Sequence, residues 1–382
     1  MNRATTARVA GLACAMLTLS IAAPATAATA ERAGRSRPQV GNVRKAMEAL
    51  AKSAGVVGAI GEVYVDGKRV GKGSAGSRLL GGKRGRIPAG SRYRIGSQTK
   101  QITATVLLQL VQEGRLSLDD KLSKVLPEVA AQGLVERADD ITVRELIRHT
   151  SGIPDFFDSG RFDDFDFTTY YRPVDLVKAS RSLPRTGEPG EKFSYSNTNY
   201  VLIGMIIERL TGRTLSDEFT RRIFAPLRMK STYLTFKPPQ GIKGPHGHGY
   251  FPDAEGRPRD ADRQNASFGG AAGGIVSTAH DISVFRRAFS QGRLLPPALQ
   301  QEIVPPAPKP QASGATPPPR VCGGEPALEL QAGSGPGFAA VTFATPDGRL
   351  QFAVSATLSV SNMTFDPAAL NKAAEAVLCP TK

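Results

Sequence analysis

The feature that most constrains this chain of 382 residues is an apolar segment at 102–111, which closely follows Ser97 and Lys100. Gly114 comes soon after it, and glycine commonly stands just beyond the end of a helix. A helix that is apolar nearly all round is buried in the middle of a domain rather than lying on its surface. The chain must therefore build a large core around this helix, with Ser97 and Lys100 at its N-terminal end.

The spacing of Ser97 and Lys100 suits a nucleophile and its base. A serine hydroxyl becomes a good nucleophile when a base takes its proton, and residues three apart on a helix have Cβ atoms roughly 5–6 Å apart. The positive end of the helix dipole also lowers the cost of an oxyanion there. Taken alone, however, the pair is better explained as a helix cap and a surface charge.

A second polar group favours the catalytic interpretation. Tyr195 and Asn197 open another apolar helix, which ends at Gly212. A phenol at this place can relay a proton, and a carboxamide can orient Lys100 and bind a substrate carbonyl. The alternative makes Asn197 an N-cap and packs Tyr195 in the core, and both interpretations can hold together.

Together these motifs resemble those of the serine β-lactamase-like hydrolases, which include class C β-lactamases, secreted D-alanyl-D-alanine carboxypeptidases, D-aminopeptidases and family VIII esterases. The resemblance is closest to the secreted carboxypeptidases and covers about the whole chain after residue 40. The residues that carry it lie at 93–100, 107–116, 149–152, 195–200 and 273–278.

The resemblance implies an α/β (α+β) fold with an antiparallel sheet built from both chain ends, flanked by helices, and a mostly helical inserted subdomain. The hydrolase domain is expected at 40–382, with the sheet layer at about 40–95 and 275–382 and the insert at about 96–270. The residues themselves predict a hairpin at Asp66-Gly67 and strands at 338–345 and 350–358. They also predict helices at 40–52 and 367–378.

The third motif of the family differs in this chain. Relatives carry Lys-Thr-Gly or His-Thr-Gly on a strand facing the serine, where this sequence has Gln331, Ala332 and Gly333. The resemblance implies that the backbone N–H groups of Ser97 and Ser334 hold the oxyanion. Gln331 offers a neutral amide where a cation is expected, and charge-assisted hydrogen bonds are about twice as strong as neutral ones. We therefore expect weaker recognition of a substrate carboxylate, which disfavours carboxypeptidase and β-lactamase activity and favours an esterase or amidase.

A proline-rich segment at 304–319 stands where relatives usually carry a glycine-rich strand beside the active site. Proline cannot donate to a sheet ladder, so the segment is predicted to be a loop or polyproline stretch. It either reshapes one wall of the cleft or is a simple exposed loop. Arg320 follows it and is a candidate for the positive charge that Gln331 does not supply.

The N-terminus predicts an exported protein. Residues 1–27 combine a basic start, an apolar core and a small-residue exit, which is typical of a cleavable signal peptide, and no stable membrane anchor is expected. Cys14 lies inside that segment. Cys322 and Cys379 then remain, and two cysteines in an exported chain favour a disulfide. The resemblance implies the same pairing, because the secreted relatives carry equivalent cysteines.

The chain is strongly basic, with a formal net charge of +15 that falls to +13 without Arg3 and Arg8 of the signal segment. Such a protein is expected to associate with anionic cell-wall polymers, although a solvated arginine-rich surface explains the charge at least as well. No helix-turn-helix, zinc-finger or aromatic-basic pattern indicates nucleic-acid binding. The expected partner is a small-molecule or peptide substrate, including cell-wall peptide, and the expected state is a monomer.

Several other residues are discounted. His149 is interpreted as structural, ending a helix near the cleft, because Lys100 already offers a base. His246 and His248 suggest a metal, but no Asp, Glu or Cys completes the set at a recognisable spacing, so no metal and no cofactor are predicted. The glycine run at 269–274 lacks the context of a phosphate loop and is expected to let the backbone pass close to the active site.

The sequence thus predicts a secreted serine hydrolase that forms an acyl-enzyme on Ser97. Either a neutral Lys100 or Tyr195 as a phenolate is the base, and the sequence leaves this choice open. Tyr195 is expected to hand a proton to the leaving group. The alternative is a catalytically silent protein that uses the same scaffold to bind or sense peptidoglycan.

Overall fold

A computed structural model describes residues 38–303, 321–324, 327–361 and 365–379 of the chain. The predicted signal peptide at 1–27, the proline-rich segment at 304–319 and Arg320 lie outside these residues. The predictions made for them therefore stay predictions.

Ten strands occur in the described residues. They are β1 (Val56–Val65), β2 (Lys68–Gly76), β3 (Tyr93–Arg94), β4 (Tyr233–Leu234), β5 (Tyr250–Pro252), β6 (Pro258–Asp260), β7 (Ile275–Ser277), β8 (Glu329–Gly335), β9 (Phe338–Ala344) and β10 (Leu350–Leu358). The main sheet has five antiparallel strands in the order β2-β1-β10-β9-β8, so strands from both ends of the chain lie side by side. A smaller sheet has the order β3-β7-β4, and β5 pairs with β6.

Two features explain why the main sheet forms as predicted. Asp66 and Gly67 both have positive φ, at 51° and 78°, which suits the tight turn that joins β1 to β2. Strand β1 then pairs with β10 in a register that runs from Gly58 opposite Thr357 to Val65 opposite Leu350. The predicted antiparallel sheet from both chain ends is confirmed.

Twelve α-helices occur in the described residues, most of them between β3 and β7. They are α1 (Val43–Leu50), α2 (Thr99–Gln112), α3 (Leu122–Val125), α4 (Pro127–Ala131), α5 (Val143–Ile147), α6 (Pro173–Ser180), α7 (Asn197–Thr211), α8 (Leu215–Phe219), α9 (Ala266–Gly273), α10 (Ala279–Ser290), α11 (Pro297–Gln300) and α12 (Ala368–Leu378).

The two faces of the sheet pack against different partners. On one face, Val63 and Phe352 join Met47 of α1 and the apolar side of α12 in one hydrophobic cluster. On the other face, Ile60 and Ala340 belong to a larger cluster shared with the helices. Because side chains alternate between the faces of a strand, one strand supplies both clusters.

Helix α2 runs through the larger cluster, as its composition predicts. Ile102, Val106 and Leu107 are completely buried, and Gly114 has a φ of 69° just beyond the helix. Helix α7 likewise ends at Gly212, whose φ is 67°. The N-cap of α7 is Ser196, so the assignment of Asn197 as N-cap is wrong.

Cys322 and Cys379 form a disulfide, which ties the end of α12 to the segment before β8. The predicted pairing is therefore present. In the described part of the chain, no helix combines the length and the apolar character needed to cross a membrane.

Candidate active site

Ser97 lies in a single 3₁₀ turn, Gly96–Gln98, between strand β3 and helix α2. The Ile95 N–H donates to the Ile275 carbonyl at 3.1 Å, which anchors the turn to β7. The Ser97 hydroxyl makes no capping bond at the start of α2. The cap interpretation of Ser97 is therefore wrong, and its Oγ faces Tyr195 and Lys100 instead.

The Lys100 ammonium is buried and has three hydrogen-bond acceptors. Its Nζ lies 3.2 Å from Ser97 Oγ, 2.7 Å from Asn197 Oδ1 and 2.8 Å from the Ala272 carbonyl. Burial lowers the pKa of Lys100 to about 7, although the negative charge of Asp155 opposes this shift. A large fraction of the amine is therefore neutral at neutral pH.

The geometry aims the lone pair of a neutral Lys100 at Ser97. A neutral amine has two N–H bonds, and the oxygens of Asn197 and Ala272 are the two nearer acceptors. These contacts leave the third position of the nitrogen to accept the proton of Ser97 Oγ. Lys100 thus has both the pKa and the orientation of a general base.

Asp155 fixes the orientation of Asn197. Its Oδ2 accepts from Asn197 Nδ2 at 2.7 Å and from the Asn197 backbone N–H at 3.0 Å. An ionised carboxylate only accepts, so the amide nitrogen of Asn197 must face Asp155 and the oxygen must face Lys100. Sequence analysis missed Asp155. The one available signal was its place just after the motif at 149–152.

Tyr195 completes the arrangement around the serine. Its hydroxyl lies 2.7 Å from Ser97 Oγ, and its ring centroid lies 4.8 Å from Lys100 Nζ. Desolvation raises the pKa of Tyr195 to about 12, although its hydrogen bond with Ser97 opposes the shift. The phenol is therefore protonated at neutral pH, which favours Lys100 over Tyr195 as the base that the sequence left open.

His149 supports Tyr195 from behind. The two rings stack with centroids 4.6 Å apart, and His149 Nδ1 accepts from the Ser196 backbone N–H at 3.2 Å. Burial, aided by the charge of Lys100, lowers the pKa of His149 to about 3, so the ring is neutral. These contacts are structural, as predicted.

The glycine run at 269–274 passes beside the serine. Helix α9 is kinked at Gly270, where φ is 40°, and the Ala272 carbonyl is the one that faces Lys100. Gly273 lies against Gly96, since a Cβ there would be 3.9 Å from the Gly96 Cα. The run therefore brings backbone to the site, as predicted.

Strand β8 faces Ser97 through its backbone. A Cβ at Gly333 would lie 2.0 Å from the Ile95 carbonyl oxygen and 2.7 Å from Ser97 N, and a Cβ at Gly96 would lie 2.7 Å from Ser334 N. The two nitrogens predicted as oxyanion donors thus lie on backbones in direct contact. Glycine at both positions makes this approach possible.

The register of β8 also orients the Ser334 N–H. A two-residue turn joins Gly335 to Phe338, and such a turn closes on a hydrogen-bonded pair. Pairs alternate along an antiparallel ladder, so Ser334 and Ala339 form a non-hydrogen-bonded pair. Because β8 is an edge strand, the Ser334 N–H points away from the sheet at its open edge.

The first two residues of the third motif lie on different faces of β8. Gln331 shares the face of Gly333, which lies next to Ser97. Ala332 lies opposite Val341, which packs in the hydrophobic cluster with α1 and α12. A methyl group and a neutral amide therefore occupy the two positions where relatives have a hydroxyl and a cation.

The cavity that contains Ser97 has a volume of about 970 Å³ and extends past the edge of β8 to Val341 and Phe365 of the cluster with α1 and α12. Four other phenylalanines line this cavity: Phe157, Phe251, Phe268 and Phe338. Among its described lining residues, Asp164 is the one acidic side chain, and none is Lys, Arg or His. Apart from Lys100 beneath Ser97, the described residues around the cleft thus offer one carboxylate and no cation.

A separate cluster lies in the loop before β5 and just after β6. His246, His248 and Asp262 each place one ligand-type atom within 4.8 Å of the others. Sequence analysis missed Asp262, because it stands 14 residues beyond the second histidine and reaches it through the β5–β6 hairpin. The interpretation that no acid completes this histidine pair is wrong.

A serine hydrogen-bonded to a tyrosine and to a buried lysine, which in turn contacts an asparagine, is an arrangement suited to a serine hydrolase. Residues 43–376 match the family described as Beta-lactamase. The chain belongs to this family.

Curated relatives match part of the chain. Protein flp of Staphylococcus aureus (strain MW2) is 37% identical over 147 residues, which is 38% of this chain and 28% of that protein. Penicillin-binding protein 4 of Amycolatopsis lactamdurans is 36% identical over 143 residues, 37% of this chain and 35% of that protein. The matched region thus spans about a third or less of each relative.

Solved structures match nearly the whole chain. A D-stereospecific amidohydrolase from Streptomyces sp. has a TM-score of 0.72 and 30% identity, covering 89% of this chain and 98% of its own. A D-amino acid amidase from Ochrobactrum anthropi SV3, complexed with L-phenylalanine amide, has a TM-score of 0.70 and 25% identity, covering 87% and 98%. The predicted fold is confirmed.

Proposed function

We propose that this protein hydrolyses amide bonds through an acyl-enzyme on Ser97 and prefers substrates without a carboxylate next to the scissile bond. The observation that carries the proposal is the position of Ser97 Oγ, which lies 2.7 Å from the Tyr195 hydroxyl and 3.2 Å from Lys100 Nζ. Both distances suit proton transfer to or from the serine.

In the proposed acylation step, neutral Lys100 takes the proton of Ser97 as Oγ attacks the carbonyl carbon. The N–H groups of Ser97 and Ser334 stabilise the oxyanion. Tyr195 then gives its proton to the leaving nitrogen and recovers one from Lys100 as the C–N bond breaks. Water releases the acyl group by the reverse proton path, so Lys100 ends neutral and Ser97 ends protonated.

The charge of the cleft supports an amide substrate over a peptide with a free C-terminus. A substrate carboxylate finds no cation among the described lining residues, whereas a substrate ammonium finds the carboxylate of Asp164. Aromatic side chains around the cleft suit an apolar acyl group. The likeness to a D-amino acid amidase and a D-stereospecific amidohydrolase agrees, so we propose D-amino acid amides with a large apolar side chain.

The proposal is tested by comparing kcat/KM for D-phenylalanine amide with that for an acyl-D-alanyl-D-alanine peptide. We expect the amide to be preferred by at least about 100-fold, since a charged group left unpaired in the cleft costs about 3 kcal/mol. Equal rates, or preference for the peptide, would contradict the proposed substrate class. Loss of both activities in folded protein would instead favour the silent peptidoglycan-binding alternative.

Asp164 gives a sharper version of the same test. Asp164→Asn should lower kcat/KM for D-phenylalanine amide by about tenfold and leave N-acetyl-D-phenylalanine amide unaffected, because the acetylated substrate has no ammonium. The matched control is Asp163→Asn, since Asp163 is exposed and uses Oδ1 to accept from the Phe165 N–H. Equal losses with both substrates would show that Asp164 does not bind the amino group.

Export is part of the proposal. It is supported by the predicted signal peptide, by the Cys322–Cys379 disulfide and by the net charge of +15, which suits association with anionic cell-wall polymers. N-terminal sequencing of protein from culture medium should find the start at residue 28. An uncleaved N-terminus on cytoplasmic protein would contradict this part.

A further inference from the structure

We propose that His246, His248 and Asp262 bind a transition-metal ion of the zinc type. One nitrogen from each imidazole and one carboxylate oxygen lie within 4.8 Å of one another. Donor atoms around a tetrahedral zinc are about 3.3 Å apart, so the widest pair must close by up to about 1.5 Å. Side-chain rotation can supply a movement of that size.

An unpartnered nitrogen points to the ligand. His246 is 9% exposed, and its Nδ1 lies 2.6 Å from the Gly244 carbonyl, which can only accept. In the neutral ring Nδ1 therefore carries the hydrogen and Nε2 carries a lone pair. Nε2 has no hydrogen-bond partner, yet it lies 3.0 Å from Asp262 Oδ1. A lone pair on Nε2 that faces a carboxylate oxygen needs either a proton on the nitrogen or a metal ion between the two atoms.

The second histidine is oriented in the same way. His248 Nδ1 lies 2.8 Å from Asp260 Oδ2, and the two imidazole rings are parallel, with centroids 5.3 Å apart. A histidine that ligates a metal usually donates its other N–H to a carboxylate or backbone carbonyl. Both histidines have such a partner, so Nε2 of each ring is left for the metal.

The surrounding charges leave the carboxylate available. Arg94 donates to the Asp262 backbone carbonyl at 2.7 Å, and Arg78 donates to the His246 backbone carbonyl at 3.2 Å. Neither bond uses the carboxylate oxygens of Asp262. Two imidazoles with one carboxylate favour zinc over magnesium or calcium, which prefer oxygen ligands only.

The ion would hold one wall of the cleft. It would join the loop at 244–249 to the residue just after β6, and thereby fix the β5–β6 hairpin. Phe251 of β5 lines the cleft above Ser97. Loss of the ion should therefore raise KM severalfold and change kcat little.

The test uses the tag-free full chain, incubated with zinc chloride, passed through a desalting column and analysed for bound zinc. We expect one zinc per chain in the wild type and in Ser97→Ala, and none in the double variant His246→Ala/His248→Ala. His280→Ala is the matched control, because His280 pairs with Asp281 outside the cluster. Asp260→Asn should weaken zinc binding by about 10–100-fold.

A thermal scan of the wild type with zinc and with a chelator needs no variant, so a folding defect in the double variant cannot obscure the answer. We expect a higher Tm with zinc. No zinc in the wild type, equal zinc in the double variant, or a Tm that zinc does not raise would overturn the proposal. Because Ser97→Ala should still bind zinc, failure of the proposed hydrolase would leave this result intact.

Discussion

The two walls of the active-site cleft are built differently. On the α2 side, the side chains of Ser97, Lys100, Tyr195 and Asn197 hydrogen-bond to one another. On the β8 side, backbone atoms rather than side chains lie next to the serine, because Gly333 packs against the Ser97 nitrogen.

This difference means that the third motif can change without removing the groups to which the proposed chemistry is assigned. Replacing a side chain on β8 alters what the cleft recognises but leaves the Ser334 N–H in place. A change on the α2 side would remove a group to which the proposed mechanism assigns a proton transfer. We therefore expect substitutions on the α2 side to abolish turnover. Substitutions on β8 should instead change which substrate is preferred, unless they displace the β8 backbone.

The largest expected effect is on the α2 side. Lys100→Met should lower kcat/KM for D-phenylalanine amide by about 10³-fold, because the general base is lost. The matched control, Lys178→Met, changes an exposed lysine on α6 and should keep full activity. A Lys100→Met protein that folds and retains more than a tenth of the activity would show that another group is the base.

The next effect tests the backbone of β8. Gly333→Ala should lower kcat by about 10²-fold, because its Cβ would meet the Ile95 carbonyl oxygen at 2.0 Å and push the strand away from Ser97. Gly90→Ala is the control, since its Cβ would have one neighbour within 4 Å, Glu62 Oε1 at 4.0 Å. Unchanged kcat in Gly333→Ala would remove β8 from the oxyanion hole.

A gain of function would sharpen the comparison. The double substitution Gln331→Lys/Ala332→Thr should raise kcat/KM for an acyl-D-alanyl-D-alanine peptide by about tenfold, since it returns a cation and a hydroxyl to β8. The rate with D-phenylalanine amide should fall slightly. If peptide cleavage stays at the wild-type level, side chains elsewhere set the specificity.

Asp155 is expected to influence the pH dependence of catalysis through its charge on Lys100. The acid limb of kcat/KM should have an apparent pKa of about 7, because Lys100 must lose its proton before it can act as base. The charge of Asp155 raises the pKa of Lys100, so Asp155→Asn should shift this limb to lower pH. It should also lower kcat by about tenfold through misorientation of Asn197.

The control for this prediction is Asp158→Asn, on the same 3₁₀ turn and exposed to solvent. Its pH profile should match that of the wild type. A lower kcat in Asp155→Asn with an unshifted acid limb would mean that Asp155 has a structural role alone.

The smallest effect on activity is expected from the disulfide. Cys322→Ser/Cys379→Ser should lower the unfolding free energy by up to about 4 kcal/mol, from the loop entropy of a separation of 57 residues. At 25 °C kcat/KM should change little, because neither cysteine contacts the α2 side. Denaturant titration measures the first quantity, and an unchanged midpoint would show that the bridge adds no stability.

Regular patterns made much of the fold predictable. The apolar run at 102–111, the Asp66-Gly67 turn and the two final strands each carry a local signal, and each element occurs as predicted. Ser97, Lys100, Tyr195 and Asn197 were found through short motifs at helix starts.

Contacts between distant segments could not be predicted in this way. Asp155 contacts Asn197, which lies 42 residues further along the chain. Asp262 contacts His246 because the intervening hairpin folds back, and the sequence of the hairpin does not indicate this contact. The pKa of Lys100 depends on burial by the whole insert rather than on its neighbours in sequence. The choice between Lys100 and Tyr195 as base therefore required the structure.

The central claim is that Ser97 is an activated nucleophile, and intact-protein mass spectrometry after exposure to a fluorophosphonate tests it most directly. We predict one phosphonyl adduct, mapped to Ser97, with a labelling rate that rises as pH increases through 7, and no adduct in Ser97→Ala. A folded wild type that stays unlabelled, or an adduct on another residue, would contradict the account.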